Sequence, residues 1–250
     1  MELAGKTALV TGGAGDLGQA LVQALLAAGC AHVIALDMDE YKLMKLASGK
    51  VSTFCCDLSH FDTAQQALRQ VYDKHPAIDI LINGAGMLHS APLVNLLEKD
   101  ESTLAAAAMN WQRCVEVNLS SVFYVTQLVA RRMARARTKG VVVNISSVSA
   151  SGNAGQSAYS ASKAGVNALT RVWAKELAPL GIRVVAVAPG YIDTASTRSA
   201  VSPAQLEEIT SRIPLRAMGQ PKNVVEAVLF AIQNDYVNGT VLEVDGGLSL

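Results

Sequence analysis

The chain has 250 residues, half of them hydrophobic, and 21 lysines and arginines balance 21 aspartates and glutamates. That balance excludes the basic face of a nucleic-acid binder, and charges break every apolar run well short of the ~20 residues a membrane span needs. Four cysteines (Cys30, Cys55, Cys56, Cys114) without any CxxC spacing argue against a metal centre or a disulfide framework and suit a reduced, cytoplasmic setting.

The first apolar, β-branched run, residues 7–10, follows an opening with no basic leader pattern, so no signal segment is expected. It ends in Thr11-Gly12-Gly13-Ala14-Gly15-Asp16-Leu17-Gly18, which leads into a helical stretch over residues 18–28. Glycines let a backbone approach a pyrophosphate closely, and the following helix offers free N–H groups and positive potential. Residues 13–18 read as G-x-G-x-x-G between a strand and a helix, the context that gives that motif its meaning.

A second strand, 33–36, is followed by Asp37, nineteen residues past Gly18. A carboxylate there would accept hydrogen bonds from the ribose hydroxyls of an adenosine and repel a 2′-phosphate, which predicts NAD rather than NADP. Helical stretches at 63–75, 112–136, 158–178 and 223–234 alternate with strands at 78–82, 141–145, 184–187 and 241–244. This alternation, with fully apolar strands, predicts an α/β fold: one Rossmann-type, doubly wound parallel sheet flanked by helices on both faces. No linker or low-complexity tract interrupts it, so residues 1–250 are expected to form a single domain.

The fourth of these strands ends at Ser146-Ser147, and the helix after it carries Tyr159 and Lys163 one turn apart. A phenol, with a pKa near 10, becomes a useful acid or base when a neighbouring positive charge lowers that value, and an ammonium at i+4 on the same helix face can do so. The spacing therefore predicts a proton-transfer site.

With the glycine loop, Asn83-Gly84-Ala85-Gly86, Asn118, the serine pair, Tyr159-x-x-x-Lys163 and Pro189-Gly190 in order, the chain resembles the short-chain dehydrogenase/reductase family over essentially its whole length. The resemblance implies an NAD(P)-dependent oxidoreductase that interconverts an alcohol and a carbonyl, and a dimer or tetramer. It assigns Tyr159 as the acid/base, Lys163 as the group that lowers its pKa and holds the nicotinamide ribose, and Asn118 as the holder of a water behind Lys163. It also assigns cofactor contacts to Gly12, Gly15, Asp16, Leu17, Gly18, Asp57, Leu58, Asn83, Ala85, Gly86, Pro189, Gly190, Ile192 and Thr194. The serine that orients the substrate oxygen is Ser147 when counted from the strand and Ser146 when counted thirteen residues back from Tyr159; strand direction favours Ser147.

Two departures stand out. Asp16 occupies a position where the family usually has glycine; it suits a helix N-terminus and is expected to face solvent. The stretch from Gly86 to Asn118 is long for the family, with an excursion at 98–109. Residues 195–218 correspond to a substrate lid, which here names no substrate, although Arg198, Arg212 and Arg216 are available as contacts. The function expected is an NAD(H)-dependent oxidoreductase acting on a secondary alcohol or ketone, of sugar or polyol, hydroxyacyl or hydroxysteroid type. The alternative is a non-catalytic dinucleotide-binding sensor or scaffold. Apolar residues on several faces of helices 112–136 and 158–178 predict subunit contacts as well.

Overall fold

The computed structural model describes residues 1–95, 102–200 and 202–250. Seven parallel strands lie in the order β3-β2-β1-β4-β5-β6-β7, where β1 is Thr7–Thr11, β2 His32–Asp37, β3 Val51–Cys55, β4 Ile80–Asn83, β5 Gly140–Ile145, β6 Ile182–Pro189 and β7 Val241–Val244. The helices are α1 (Asp16–Ala27), α2 (Glu40–Leu46), α3 (Phe61–Lys74), α4 (Ser102–Val115), α5 (Ser121–Ala136), α6 (Ser157–Leu177), α7 (Ala195–Ala200), α8 (Pro203–Arg212) and α9 (Pro221–Gln233). This is the expected doubly wound α/β sheet.

Side chains alternate across the sheet with period two, so each central strand feeds two cores. Ala8, Val10, Val141, Val143, Val185 and Val187 face α1 and α9, while Leu9, Leu81, Val142 and Val184 face α3, α5 and α6. Each of the larger side chains contributes about 1.5–3 kcal/mol by leaving water. Burial on both faces is why these runs are continuously apolar and therefore easy to recognise. β3 was not among the expected strands: Ser52 and Thr53 break its apolar run, and it closes the sheet at an edge, paired to β2 alone.

Local signals set the helix ends. Asp39 caps α2 by accepting a hydrogen bond from Lys42 N at 3.0 Å, Ser202 and Gln205 form a capping box on α8, and Pro221 opens α9. α5 stops at Arg137, which turns left-handed at φ 53°. The stretch expected as one helix over 112–136 starts earlier, at Ser102, and is broken by a single π-helical turn at Glu116–Ser120. Of the 98–109 excursion, residues 98–101 lie outside the described residues. The remainder forms the first turns of α4, with Leu104 and Met109 exposed.

Candidate active site

Strand order reverses between β1 and β4, since the chain runs outward through β2 and β3 before returning beside β1. A crevice opens at such a point beyond the carboxyl ends of the strands. Here Thr11 Oγ1 accepts hydrogen bonds from Gly84 N and Ala85 N, both at 3.1 Å, which ties the loop after β1 to the loop after β4. Gly12, at φ +68°, sits so close that a Cβ would come within 2.8 Å of the Ala85 backbone. At Gly18 a Cβ would lie 2.0 Å from the Gly12 carbonyl oxygen, so only glycine lets α1 press against the turn. α1 begins at Asp16, directing its first-turn N–H groups and positive end at this loop. Asp16 itself is half-buried, not fully turned to solvent as expected, and is electrostatically coupled to Lys42.

One cavity of the crevice is lined by Gly12, Asp37, Asp57, Leu58, Ala85 and Gly86. Asp37 is held by three backbone donors: Ala14 N to Oδ2 at 3.0 Å, and Met38 N and Asp39 N to Oδ1 at 2.7 and 3.1 Å. Asp57 accepts from Ser59 and pairs with Arg113 at 3.1 Å. Burial pushes its pKa upward, but the Ser59 and Arg113 hydrogen bonds outweigh that and leave it below the usual carboxylate value. The sequence reading missed Met38, Cys56, Ser59, Val117 and Ser121, which line the same cavity. Of these, Met38, Cys56, Ser59 and Val117 adjoin Asp37, Asp57, Leu58 and Asn118, which the sequence marks; Ser121 has no such neighbour.

A second cavity shares Gly86 with the first and is lined by Leu17, Ser146, Ser147, Tyr159, Lys163, Pro189 and Gly190, together with Met87 and Leu88. Lys163 is buried; its Nζ donates to the Ile145 carbonyl at 2.8 Å and lies 5.6 Å from the centre of the Tyr159 ring. Complete burial lowers the lysine pKa to about 8, with Cys114 acting weakly the other way. Tyr159 departs from the sequence expectation. Burial raises its pKa, a Ser147 hydrogen bond pulls it down, and Cys114 adds to the rise, for a net upward shift. The Lys163 ammonium is not among the causes of this shift; its hydrogen bond goes to the end of β5.

The two serines separate cleanly. Ser146 donates to the Lys163 carbonyl at 3.4 Å and so faces the α6 backbone, whereas Ser147 meets Tyr159 and accepts from Ser149 N at 3.1 Å. Alternation along β5 produces this difference, so the strand count locates the side chain that meets the phenol.

Asn118 lies in the π-helical turn, fully buried. Its Nδ2 donates to the Met87 and Cys114 carbonyls, each at 2.9 Å, and its Oδ1 accepts from Met87 N at 3.1 Å. The turn brings the amide against the loop that forms the floor of both cavities, in keeping with the frequent placement of π turns at functional sites.

Three other residues expected as cofactor contacts make contacts within the protein. Asn83 turns into the core, donating to Thr126 Oγ1 at 2.9 Å and Asn144 Oδ1 at 2.8 Å. Thr194 Oγ1 accepts from Thr197 N at 3.1 Å, capping α7, and Ile192 bridges to Gly219. In the lid segment, Arg198 pairs with Asp193 through contacts of 2.6 and 2.7 Å, and Arg216 donates to the Ser211 carbonyl. Val201 lies outside the described residues.

The glycine turn, the anchored carboxylate of Asp37 and the pair of cavities meeting at Gly86 fit an extended dinucleotide, with adenosine at the Asp37 end and the reactive ring beside Tyr159. No cluster of three or more metal-ligating side chains occurs among the described residues.

Known proteins agree with this geometry. The family model described as short chain dehydrogenase matches residues 6–205. The chain is 40% identical to a 3-oxoacyl-[acyl-carrier-protein] reductase of Thermotoga maritima, with 99% of each covered. It is 37% identical to a 2-dehydro-3-deoxy-D-gluconate 5-dehydrogenase of Bacillus subtilis, covering 98% of this chain and 95% of that one. It superposes on the crystal structure of gox2181 with a TM-score of 0.86 at 34% identity, covering 98% and 96% of the two chains. Sequence, sheet topology and the convergence of Ser147, Tyr159 and Lys163 on one cavity agree, and the chain belongs to the short-chain dehydrogenase/reductase family, oxidoreductases that act on CH–OH groups and bind a nicotinamide dinucleotide.

Proposed function

We propose that the protein interconverts a secondary alcohol and a ketone using NAD(H). The observation that carries this reading is the Asp37 carboxylate, fixed by three backbone N–H groups where an adenosine ribose would lie. The acceptor site left on Oδ2 suits a ribose hydroxyl, and a 2′-phosphate would meet a like charge at close range. Asp39 and Glu40 follow within three residues and add to the negative rim.

When bound, the nicotinamide supplies or accepts the hydride. Ser147 then fixes the substrate oxygen beside the phenol, and Tyr159 exchanges the hydroxyl proton, as base in oxidation and as acid in reduction. Lys163 contributes positive charge and a hold on the nicotinamide ribose, and Asn118 keeps the Met87 loop in register and would hold the relay water. Gly15 leaves room for the pyrophosphate, while Gly12 and Gly18 let the turn pack closely beside it. The substrate belongs to the hydroxyacyl, sugar or polyol, or hydroxysteroid type; the names of the two relatives fall within the first two classes. A non-catalytic dinucleotide sensor finds no support, since the proton-transfer set is intact and converges on one cavity.

NADH should bind at least about tenfold more tightly than NADPH, and Asp37→Ala should narrow that gap, because tenfold corresponds to about 1.4 kcal/mol, well within the effect of one like-charge contact. Titration of nicotinamide fluorescence checks this; equal affinities would remove the NAD assignment.

We also infer a cytoplasmic homo-oligomer, a dimer or tetramer. Phe123 on α5 and Val172 on α6 are each more than one-third exposed and flank an apolar surface that includes Leu119, Tyr124 and Leu169. Phe123→Glu would place a charge in that face and should shift the protein to a smaller species in light scattering. An unchanged mass would show that this face is not the interface. No helix among the described residues is long and apolar enough to cross a membrane, and the four cysteines are free.

A further inference from the structure

Arg113 sits in the last turn of α4, five residues before Asn118, and none of the assigned roles uses it. Its guanidinium reaches three residues that line the adenosine-end cavity. Nη1 donates to Ser59 Oγ at 2.6 Å, Nη2 to Asp57 Oδ2 at 3.1 Å, and Nη2 also contacts Met38 Sδ at 3.8 Å. It thus ties the loop after β2 to the loop after β3 across the cavity. Both partners of the Arg113–Asp57 pair are about one-third exposed at the side chain, so as a salt bridge it adds little stability. Its value lies in geometry.

The Asp57 carboxylate has about four lone-pair sites. Two on Oδ1 are taken by Ser59 N and Ser59 Oγ, at 2.9 and 2.6 Å, and one on Oδ2 by Arg113. One acceptor site on Oδ2 is left, on a carboxylate that can no longer rotate. The exocyclic amine of adenine is a donor that needs one such acceptor, and the planar guanidinium fork holds Ser59 and Asp57 together in a way that lysine cannot.

We propose that Arg113 is a specificity-determining residue for the adenosine half of the dinucleotide: it fixes the Asp57 carboxylate for the adenine amine. This rests on the reading that the crevice takes NAD(H), and it adds a recognition element that the glycine loop and Asp37 do not provide. The guanidinium acts on adenosine alone, since the nicotinamide end lies across the shared Gly86 in the other cavity.

The test compares wild type, Arg113→Ala, Arg113→Lys and Asp57→Asn for binding of NADH, of reduced nicotinamide mononucleotide, which carries no adenosine, and of ADP-ribose as competitor. Arg113→Ala should weaken NADH and ADP-ribose about tenfold or more and leave the mononucleotide unchanged. Arg113→Lys should lose a smaller but distinct factor, because it keeps the charge without the fork. The double variant Arg113→Ala with Asp57→Asn should weaken NADH by less than the product of the single effects, since the two residues act through one contact. NADH affinity within about twofold of wild type, or equal weakening of NADH and the mononucleotide, would overturn the proposal, the second result marking Arg113 as a purely structural tie. Failure of the wild-type protein to bind NADH at all would instead overturn the cofactor reading, and this inference with it.

Discussion

Replacing Tyr159 with Phe is expected to lower kcat by about a thousandfold, within the usual range for loss of a positioned acid/base, while leaving NADH affinity within about threefold of wild type. The change removes one oxygen and no packing volume of consequence, so the cavity formed with Ser147 and Lys163 should survive. The pH dependence gives the sharper readout. Burial holds the phenol above its ordinary value, with Ser147 only partly offsetting the rise. Alcohol oxidation needs the phenolate, so its rate should climb as pH rises through the alkaline range; ketone reduction needs the protonated phenol and should stay level near neutrality. The variant should lose the slope in the oxidation direction. Steady-state rates with NAD across a pH series, on any alcohol that the wild type oxidises, measure both effects. Near-normal turnover by the Phe variant would sink the assignment of Tyr159.

How far the sequence carried the fold and the site depended on which force fixed each part. Strands buried on both faces, such as β4 and β5, are apolar but for one asparagine each near the carboxyl end and could be read directly. β3 could not, because an edge strand with Ser52 and Thr53 has no such run. The glycine loop and Asp37 were legible because their residue types are dictated locally, by close backbone approach at Gly18 and by the end of β2. The π-helical turn at Glu116–Ser120 left no mark in the sequence, since it is set by tertiary contact: the Asn118 amide grips the Met87 backbone in both directions. Asn83 matched a cofactor-loop motif, yet its side chain bridges Thr126 and Asn144 in the core, linking α5 to β5, and Asn144 in turn reaches Thr170 on α6 at 2.9 Å. A motif gives residue type and order; the direction of a side chain comes from packing. Arg113 was invisible for the same reason, because its partners stand more than fifty positions away in the sequence.

Lys163→Met should separate stability from activity in opposite directions. An ammonium in this site is desolvated completely, and its pKa falls from the ordinary 10.5 to about 8, so carrying the charge at neutral pH costs roughly 3 kcal/mol. Among the described residues no carboxylate pairs with it; its hydrogen bond goes to the Ile145 carbonyl. Removing the charge relieves that cost but leaves the carbonyl without its donor, a loss of about 1–3 kcal/mol, so a small net gain is expected. In the absence of added cofactor, Tm at pH 7 should rise by about 2–4 °C, the shift expected for roughly 1 kcal/mol in a chain of this size. The sign with pH follows from linkage. Between about 8 and 10.5 the unfolded chain binds more protons at this lysine than the folded one, so the cost in the wild type shrinks as pH rises across that window, and the advantage of Met should shrink with it. Turnover should fall by at least about a hundredfold at all pH values, because Met supplies neither charge nor donor to the site. Calorimetry at pH 7 and pH 10, beside steady-state rates, reads both arms. A Tm at pH 7 lowered by several degrees would show that the ammonium is a net stabiliser. The outcome expected, a more stable and inactive protein, would mean that the fold carries a buried charge at Lys163 for chemistry at the cost of stability.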